Sequence, residues 1–297
     1  MKQFSARGKL LLTGEYGITA GAKGLAVPTA LGQQMKVEFG DGNDFGSWTA
    51  LDHNGEAWLS VNFSERLEVV NSSDTAMGEY LAERLRTIAP WTSDLQKPWK
   101  VTTRLDFDRQ WGLGSSSTLH VLLAQWAGKN PVELFRKQHG GSGYDLACGS
   151  ANGPLTYQLV NGVPHVNLVN WYPSFHEQMC FIYTGKKQLT SSSLALLKER
   201  PFSPSQLDQL STLTDEFLAA EDLETLEKTI AAHELLIAEH LNLPRVGNTL
   251  FKGYNGVVKS LGGWGGDFVL ATRCSLNKSW LEANGFNTVI PVKEMLG

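Results

Sequence analysis

The sequence predicts an α+β protein, and two kinds of periodicity support this class. Residues 35–39 and 57–61 alternate polar and apolar side chains, with a Gly-Asp-Gly-Asn run between them, which is typical of β-hairpins. Residues 74–89 instead place apolar side chains at helical spacing, on one face of a helix: Met77, Leu81, Leu85 and Ile88. A chain of 297 residues is also long enough to bury a sizeable core.

The remaining elements follow from similar patterns. Short apolar or alternating runs predict further strands at 9–13, 100–105, 154–160, 163–169, 179–184, 268–272 and 288–292. Helices are predicted at 118–126, at 131–139, where Pro131 occupies a first-turn position, at 191–198, and as two helices within 204–241. The length predicts one large or two medium domains, and the chain changes character near 165–177. We therefore predict domains at 1–168 and 169–297.

Composition and charge exclude several classes of protein. The chain has a net charge of −4 and no clustered basic excess, so we expect no nucleic-acid partner. No apolar run approaches the length of a membrane span, and the first residues lack the apolar core of a secretory signal, so we expect a cytoplasmic protein with no membrane partner. The three cysteines are far apart in sequence and are expected to be buried thiols in a reducing compartment: Cys148, Cys180 and Cys274.

A Gly-Ser run is the first candidate for chemistry: Gly112, Leu113, Gly114, Ser115, Ser116 and Ser117. Its glycines allow close approach of a ligand, and the apolar helix after it would direct amide groups and a positive dipole end toward phosphate. The run is not a Walker A loop, because no lysine follows the second glycine, and it lacks the third glycine of a dinucleotide fingerprint. From these residues alone, a simple helix cap by serine is an equal alternative.

Three further segments carry a resemblance to a known family. Gly8-Lys9 followed by Gly14-Glu15 stands near the N-terminus, and Gly262-Gly263-Trp264-Gly265-Gly266-Asp267 stands near the C-terminus. With the Gly-Ser run between them, these motifs resemble those of the GHMP kinase superfamily, named for galactokinase, homoserine kinase, mevalonate kinase and phosphomevalonate kinase. The segment Gly143-Tyr144-Asp145-Leu146-Ala147 is similar to the one that carries the catalytic aspartate in mevalonate and phosphomevalonate kinases, and closest to a bacterial Gly-Tyr-Asp-Ile-Ala subgroup.

This resemblance implies a fold and an activity. It implies an N-terminal domain like domain 2 of ribosomal protein S5 and a ferredoxin-like βαββαβ C-terminal domain. It also implies transfer of the ATP γ-phosphoryl group, with Mg²⁺, to a hydroxyl or phosphate oxygen of a small metabolite, with mevalonate or phosphomevalonate as the best guess. The expected partners are therefore ATP and a small-molecule acceptor, and the expected state is a monomer or homodimer.

The resemblance also assigns roles to individual residues. Asp145 is the expected base or orienting carboxylate for the acceptor, and Lys9 is the cation that keeps it ionised and stabilises the transferring phosphoryl group. Ser116 is the expected Mg²⁺ ligand, and Glu133 is a candidate second ligand. The whole Gly-Ser run and a late glycine turn would contact the nucleotide, the latter through Gly263, Gly265 and Gly266.

Other functions stay open at this point. A related decarboxylase of diphosphomevalonate has the same fold and a similar aspartate, and a non-catalytic metabolite sensor would keep the loop without needing acid–base chemistry. The chain also departs from the family pattern, with Arg7 in place of a common proline and with Asp108-Arg109-Gln110-Trp111 before the loop. These departures leave the identity of the acceptor open.

Overall fold

A computed structural model describes residues 1–40, 45–139, 141–186, 200–264 and 266–297. In these residues the strands are β1 Lys2–Thr13, β2 Gly24–Phe39, β3 Gly46–Leu51, β4 Ala57–Phe63, β5 Val69–Ser72, β6 Trp99–Leu105, β7 Leu155–Val160, β8 Val163–Leu168, β9 Met179–Tyr183, β10 Val258–Ser260, β11 Phe268–Thr272 and β12 Val289–Pro291. The helices are α1 Thr75–Ile88, α2 Ser115–Trp126, α3 Pro131–His139, α4 Tyr144–Ser150, α5 Pro204–Ala219, α6 Leu223–Leu241, α7 Lys278–Ala283 and α8 Val292–Leu296. The helix predicted at 191–198 lies outside the described residues.

The chain divides into two compact units that interleave in sequence. The first unit contains Met1–Gly8, Leu31–Arg109 and Leu113–Ser150, and the second contains Lys9–Ala30, Gln110–Gly112 and Ala151–Gly297. The long strands β1 and β2 each contribute residues to both units. The predicted domains at 1–168 and 169–297 are continuous segments of sequence, and that boundary stays a prediction.

The first unit is a sheet covered by helices on one face. The second half of β2 pairs antiparallel with β6, β6 pairs parallel with β3, and β4 and β5 extend the sheet antiparallel. Parallel strands require a crossover connection, and α1 lies in the segment that connects β3 to β6. The apolar side of α1 packs into the same core as α2. Trp99 lies at the centre of this core, with its ring 5.6 Å from Phe63 and 6.1 Å from Trp126. The predicted helices at 74–89 and 118–126 are confirmed, and α2 begins three residues earlier than predicted.

The second unit contains a four-stranded antiparallel sheet in the order β10-β11-β9-β12. Along the chain its elements follow as β9, the helix pair α5 and α6, then β10, β11, α7 and β12, which is a βαββαβ arrangement. Ser203 and Gln206 form a capping box that starts α5, and Asp222 caps α6, so the predicted break within 204–241 is confirmed. The ferredoxin-like C-terminal half is therefore present. The first half of β2 pairs with β7, and β7 pairs with β8, in the same unit.

A disulfide in the second unit corrects the prediction for the cysteines. Cys180 on β9 and Cys274, two residues after β11, are joined by an S–S bond of 2.06 Å, although 94 residues separate them. The two strands are neighbours in the sheet, with Cys180 paired to Ala271, so the fold brings together residues that the sequence spacing gave no reason to pair. Cys148 is a buried thiol, as expected. No helix in the described part of the chain is long and apolar enough to cross a membrane.

We expect the disulfide to stabilise the fold. Because the bond closes a loop of 94 residues, replacing both Cys180 and Cys274 by serine should lower the free energy of unfolding by about 2–4 kcal/mol, measured by urea denaturation. Alkylation of the denatured chain without reductant, followed by mass spectrometry, should label Cys148 alone, whereas prior reduction should expose all three thiols. Three labelled thiols without reductant would contradict the pairing.

Candidate active site

The Gly-Ser run forms a turn that leads into α2. Gly112 and Gly114 both adopt positive φ, +67° and +91°, a region that glycine occupies at little cost. Helix α2 begins at Ser115, and Gly114 is its N-cap residue. The alternative that a serine side chain caps this helix is therefore wrong, because the cap position has no side chain. The first-turn amide groups of such a helix end are the groups that bind anions.

The three serines of the run point to different surroundings. Ser117 is buried, and its hydroxyl donates to the Gly114 carbonyl at 2.9 Å, which stiffens the turn. Ser116 is exposed, and its Oγ lies 3.1 Å from the Tyr80 hydroxyl. Ser115 is half-buried. Two serine hydroxyls of the run are therefore accessible to a ligand, while the third serves the loop itself.

Gly112 is the point where the three sequence motifs meet. The Lys9 ammonium, from the first motif, donates to the Gly112 carbonyl at 2.9 Å. The Asp267 carboxylate, from the third motif, also lies against Gly112. A Cβ added to Gly112 would be only 2.3 Å from the Cγ atom of Asp267. Only glycine leaves room for this contact, so the motif glycine has a steric reason as well as a conformational one.

The first and third motifs also contact each other directly. The Tyr16 hydroxyl accepts a hydrogen bond from the Trp264 backbone N–H at 2.7 Å. Tyr16 and Asp267 both hold positive φ, +64° and +53°, although neither is glycine. Such backbone strain costs on the order of 1–3 kcal/mol for each residue and persists only where the surrounding contacts impose it. The contacts of the two motifs therefore hold these residues in this conformation.

A buried ion pair joins the first motif to β10. The Glu15 carboxylate accepts a hydrogen bond from the Lys259 ammonium, and both side chains are almost entirely excluded from solvent. Lys259 also donates to the Ser260 carbonyl at 3.1 Å. Because an unpaired buried charge is strongly destabilising, the pair holds the turn after β1 firmly against the strand that leads into the late glycine turn.

Two residues of α6 complete this buried cluster. The Gly14 N–H donates to His233 Nε2 at 3.0 Å, and Glu234 accepts from the Ser260 N–H at 3.0 Å. Glu15 Oε2 lies 3.2 Å from the same His233 nitrogen. That nitrogen accepts a hydrogen bond from the Gly14 N–H, so it carries no proton of its own. His233 is therefore neutral in this arrangement, and its contact with Glu15 is not an ion pair.

Burial controls the protonation of this cluster. It raises the pKa of Glu15, a shift that the Lys259 ammonium opposes. It also raises the pKa of Glu234 to about 7, again opposed by Lys259 and reinforced by the negative charge of Glu15. Burial, with the nearby Lys259, holds the pKa of His233 well below its usual value. Burial therefore disfavours the charged forms of these three groups, and Lys259 opposes that effect for the two carboxylates.

The unusual residues before the loop are packing residues. The Arg109 guanidinium stacks 3.6 Å from the centre of the Trp58 ring in the first unit. Trp111 packs in the second unit, with its ring 5.6 Å from Phe268 and 6.3 Å from Tyr183. The Tyr183 hydroxyl also donates to the Gln110 carbonyl at 3.2 Å. These contacts explain why bulky side chains precede Gly112.

The other predicted site residues stay predictions. Asp145 is half-buried in the first turn of α4, where its carboxylate accepts the Leu146 N–H at 3.1 Å. Asp145 and Lys9 belong to different compact units, and their pairing is untested. Glu133 is exposed in the first turn of α3. Gly266 N–H donates to the Gly263 carbonyl at 3.3 Å and closes the late turn, and Gly265 lies outside the described residues.

Three residues of the buried cluster around Glu15 had no role predicted from the sequence. Lys259, His233 and Glu234 are all buried. Lys259 contacts Glu15, His233 contacts Gly14, and Glu234 contacts Ser260 beside Lys259. A possible signal is the position of Lys259 in the strand just before the late glycine turn, where a lysine is out of place among apolar neighbours. His233 and Glu234 gave no signal, because an amphipathic helix carries such residues on its surface more often than in its core.

Comparison with solved structures agrees with this fold. No family model and no curated protein matches the sequence. Mevalonate kinase from Methanococcus jannaschii is similar, with a TM-score of 0.72 and 15% identity over 97% of this chain and 96% of that one. Phosphomevalonate kinase from Streptococcus pneumoniae, solved with phosphomevalonate and AMPPNP, has a TM-score of 0.71 and 17% identity over 96% of each chain. Galactokinase from Lactococcus lactis, solved with galactose, has a TM-score of 0.65 and 13% identity over 95% and 88%.

These likenesses confirm the predicted fold class. The chain shares the α+β fold of these kinases along almost its full length. At 13–17% identity they show the fold and leave the substrate open.

We predict that the contact of Gly112 with Asp267 can be isolated by substitution. Gly112→Ala should lower the free energy of unfolding by about 1–3 kcal/mol more than Gly162→Ala, because both glycines have positive φ but an added Cβ meets open space at Gly162. Urea denaturation of both variants measures the difference. Asp267→Gly in the Gly112→Ala background should remove most of it, and equal losses for the two alanine variants would contradict the contact.

We also predict a pH dependence from Glu234. Folding raises its pKa from 4.5 to about 7, so the protonated carboxyl stabilises the fold below pH 4.5, and this contribution is lost as pH rises through about 7. Glu234→Gln keeps an oxygen acceptor for Ser260 but does not titrate. The wild type should therefore lose stability relative to this variant between about pH 5 and about pH 8, measured by urea denaturation at each pH.

The control for that series is Glu239→Gln, an exposed position on the same helix. His233 acts in the opposite direction, since its lowered pKa favours the fold above its usual value of 6.5, but it is present in all three proteins and cancels in the comparison. Parallel stability curves for the wild type and Glu234→Gln would show that Glu234 does not titrate in this range.

Proposed function

We propose that the chain is an ATP-dependent small-molecule kinase. The observation that carries this proposal is the meeting of three motifs at Gly112, where Lys9 binds the carbonyl and Asp267 packs against the Cα. A structural turn does not require a lysine at this position. A loop that presents amide groups, hydroxyls and a cation to a triphosphate combines these groups.

The first turn of α2 would hold the nucleotide phosphates. Its amide groups and the exposed Ser116 hydroxyl are donors of the kind that phosphoryl transfer uses, since the reaction depends on positioning and charge stabilisation. In this account Lys9 stabilises negative charge that develops on the transferring phosphoryl group. Gly263, Gly265 and Gly266 of the late glycine turn are further proposed contacts of the nucleotide.

Magnesium fits the residues present. The described residues contain no group of three or more His, Cys, Asp or Glu side chains that could hold a metal ion by themselves. Mg²⁺ in kinase sites does not require such a group, because it takes most of its ligands from water and substrate phosphates and only one or two from the protein. Ser116, with Glu133 as the carboxylate, is the proposed donor set of this kind, and when bound the ion would neutralise phosphate charge.

Asp145 is the proposed base or orienting group for the acceptor. A hydroxyl acceptor must lose its proton as the new O–P bond forms, and a carboxylate within hydrogen-bonding distance can receive it. The Leu146 N–H holds one Asp145 oxygen at 3.1 Å, which leaves the carboxylate oriented from the start of α4. Mevalonate or phosphomevalonate is the proposed acceptor, since structures of kinases for both are among the similar folds.

We expect ATP-dependent ADP formation with one acceptor of a panel that contains mevalonate, phosphomevalonate, homoserine and galactose, measured by a coupled assay. Asp145→Asn should lower kcat by roughly 10²–10⁴-fold, because it removes the proton acceptor while keeping the shape of the side chain. Asp208→Asn, an exposed position on α5, is the matched control and should leave kcat unchanged.

Three results would contradict parts of this proposal. Release of CO₂ from diphosphomevalonate together with ATP cleavage would identify a decarboxylase. Binding of AMPPNP without turnover of any acceptor, and without an effect of Asp145→Asn, would support a non-catalytic sensor. No binding of AMPPNP with Mg²⁺ would overturn the nucleotide site itself.

A further inference from the structure

Four polar residues link α1 to the start of α2. Tyr80 and Arg84 lie one turn apart on α1, and Ser116 and His120 lie one turn apart on α2, so each pair occupies one helix face. The Tyr80 hydroxyl lies 3.1 Å from Ser116 Oγ and 3.4 Å from His120 Nε2. Arg84 Nε donates to the same His120 nitrogen at 3.0 Å. The family resemblance assigned no role to Tyr80, Arg84 or His120.

The contacts of His120 determine which ring nitrogen carries the proton. An arginine N–H is always a donor, so His120 Nε2, which accepts from Arg84, carries no proton. The proton of the neutral ring is therefore on Nδ1, which donates to the Ser116 carbonyl at 2.8 Å. The ring is fully buried, with the Phe135 ring packed 4.7 Å away.

Arg84 is held in place to make this contact. It is buried, and its guanidinium lies 4.5 Å from the centre of the Tyr80 ring. Its Nη1 lies 3.0 Å from the Glu83 carboxylate but lacks the alignment of a hydrogen bond to any described group. The Glu83 carboxylate and the Tyr80 ring therefore hold the Arg84 guanidinium where its Nε–H meets His120.

The proton arrangement has a consequence for Ser116. His120 Nε2 has one lone pair, which accepts from Arg84 Nε at 3.0 Å, and the Tyr80 hydroxyl at 3.4 Å shares it as a second, weaker donor. Either hydroxyl of the Tyr80–Ser116 pair could donate across 3.1 Å, and a Tyr80 proton directed at His120 favours the arrangement in which the Tyr80 oxygen accepts a hydrogen bond from Ser116. A serine hydroxyl has one proton and two lone pairs, so directing the proton at Tyr80 leaves both lone pairs for a ligand on the exposed side.

We propose that Tyr80, Arg84 and His120 are positioning residues that turn the Ser116 oxygen toward a bound Mg²⁺–nucleotide complex. This inference rests on the proposed function, in which Ser116 contacts that complex. Groups that orient a metal ligand from behind typically change metal affinity by 10–100-fold when they are removed. The network therefore sets the metal affinity of the nucleotide site without touching the nucleotide.

Tyr80→Phe is the direct test, because it removes one hydroxyl from a half-buried side chain and keeps the ring over Arg84. The Mg²⁺ concentration that gives half-maximal AMPPNP binding, measured by calorimetry, should rise about tenfold. Tyr172→Phe, on an exposed tyrosine of the second unit, is the matched control and should leave this concentration unchanged. Thermal unfolding of both variants checks that the fold is retained.

A double substitution separates positioning from a general structural effect. If Tyr80 acts through the Ser116 hydroxyl, Tyr80→Phe should have no further effect on Mg²⁺ dependence in a Ser116→Ala background. The same tenfold rise in both backgrounds, or no rise in either, would overturn the inference while leaving the kinase proposal intact. If the wild type binds no AMPPNP with Mg²⁺, the proposed function fails and this inference fails with it.

The tautomer of His120 gives a second test that does not depend on a nucleotide. ¹⁵N NMR of the imidazole should show a single neutral form with the proton on Nδ1 in the wild type. Arg84→Lys, which removes the Nε donor, should allow the other tautomer to appear. A wild-type ring with the proton on Nε2, or with protons on both nitrogens at neutral pH, would contradict the arrangement of donors on which the inference depends.

Discussion

The buried ion pair of Glu15 and Lys259 is the contact on which the geometry of the candidate site depends. Two opposite charges excluded from water hold each other because desolvation makes either one alone too costly. Glu15 follows the first-motif strand, and Lys259 precedes the late glycine turn, so this pair fixes the spacing of two of the three motifs. The hydrogen bond of Tyr16 to Trp264 and the contact of Asp267 with Gly112 then extend the same connection to Gly112.

A second layer of polar groups supports that pair without adding a competing full charge. His233 is neutral and accepts the Gly14 N–H, and Glu234 binds the Ser260 N–H with a carboxyl whose pKa is about 7. Buried polar groups of this kind are stable when their hydrogen bonds are made, and costly when they are not. Glu15 Oε2 and His233 Nδ1 have no hydrogen-bond partner among the described residues, so the cluster is not optimised for stability alone.

The candidate site combines rigid scaffold with a small number of accessible polar groups. Trp111 and Arg109 fasten the chain before the loop by ring packing, and Ser117 closes the turn from within. Against that background, Ser116 and the first turn of α2 are what a phosphate group would meet. Behind Ser116, the Tyr80, Arg84 and His120 network gives the hydroxyl a direction. Affinity for an anionic ligand in a chain of net charge −4 must come from such local groups.

The sequence by itself determined the α+β class, most strands and helices, and the three motifs, because periodicity and glycine spacing are local properties of the chain. It also indicated a fold that similar structures confirm. Only the tertiary structure decided which distant residues meet. The Cys180–Cys274 bond, the Glu15–Lys259 pair and the approach of Asp267 to Gly112 each join residues at least 94 positions apart, and no local pattern records such a pairing. The contact of His120 with Arg84 could not be predicted for the same reason, because only the packing of α1 against α2 places the two side chains together.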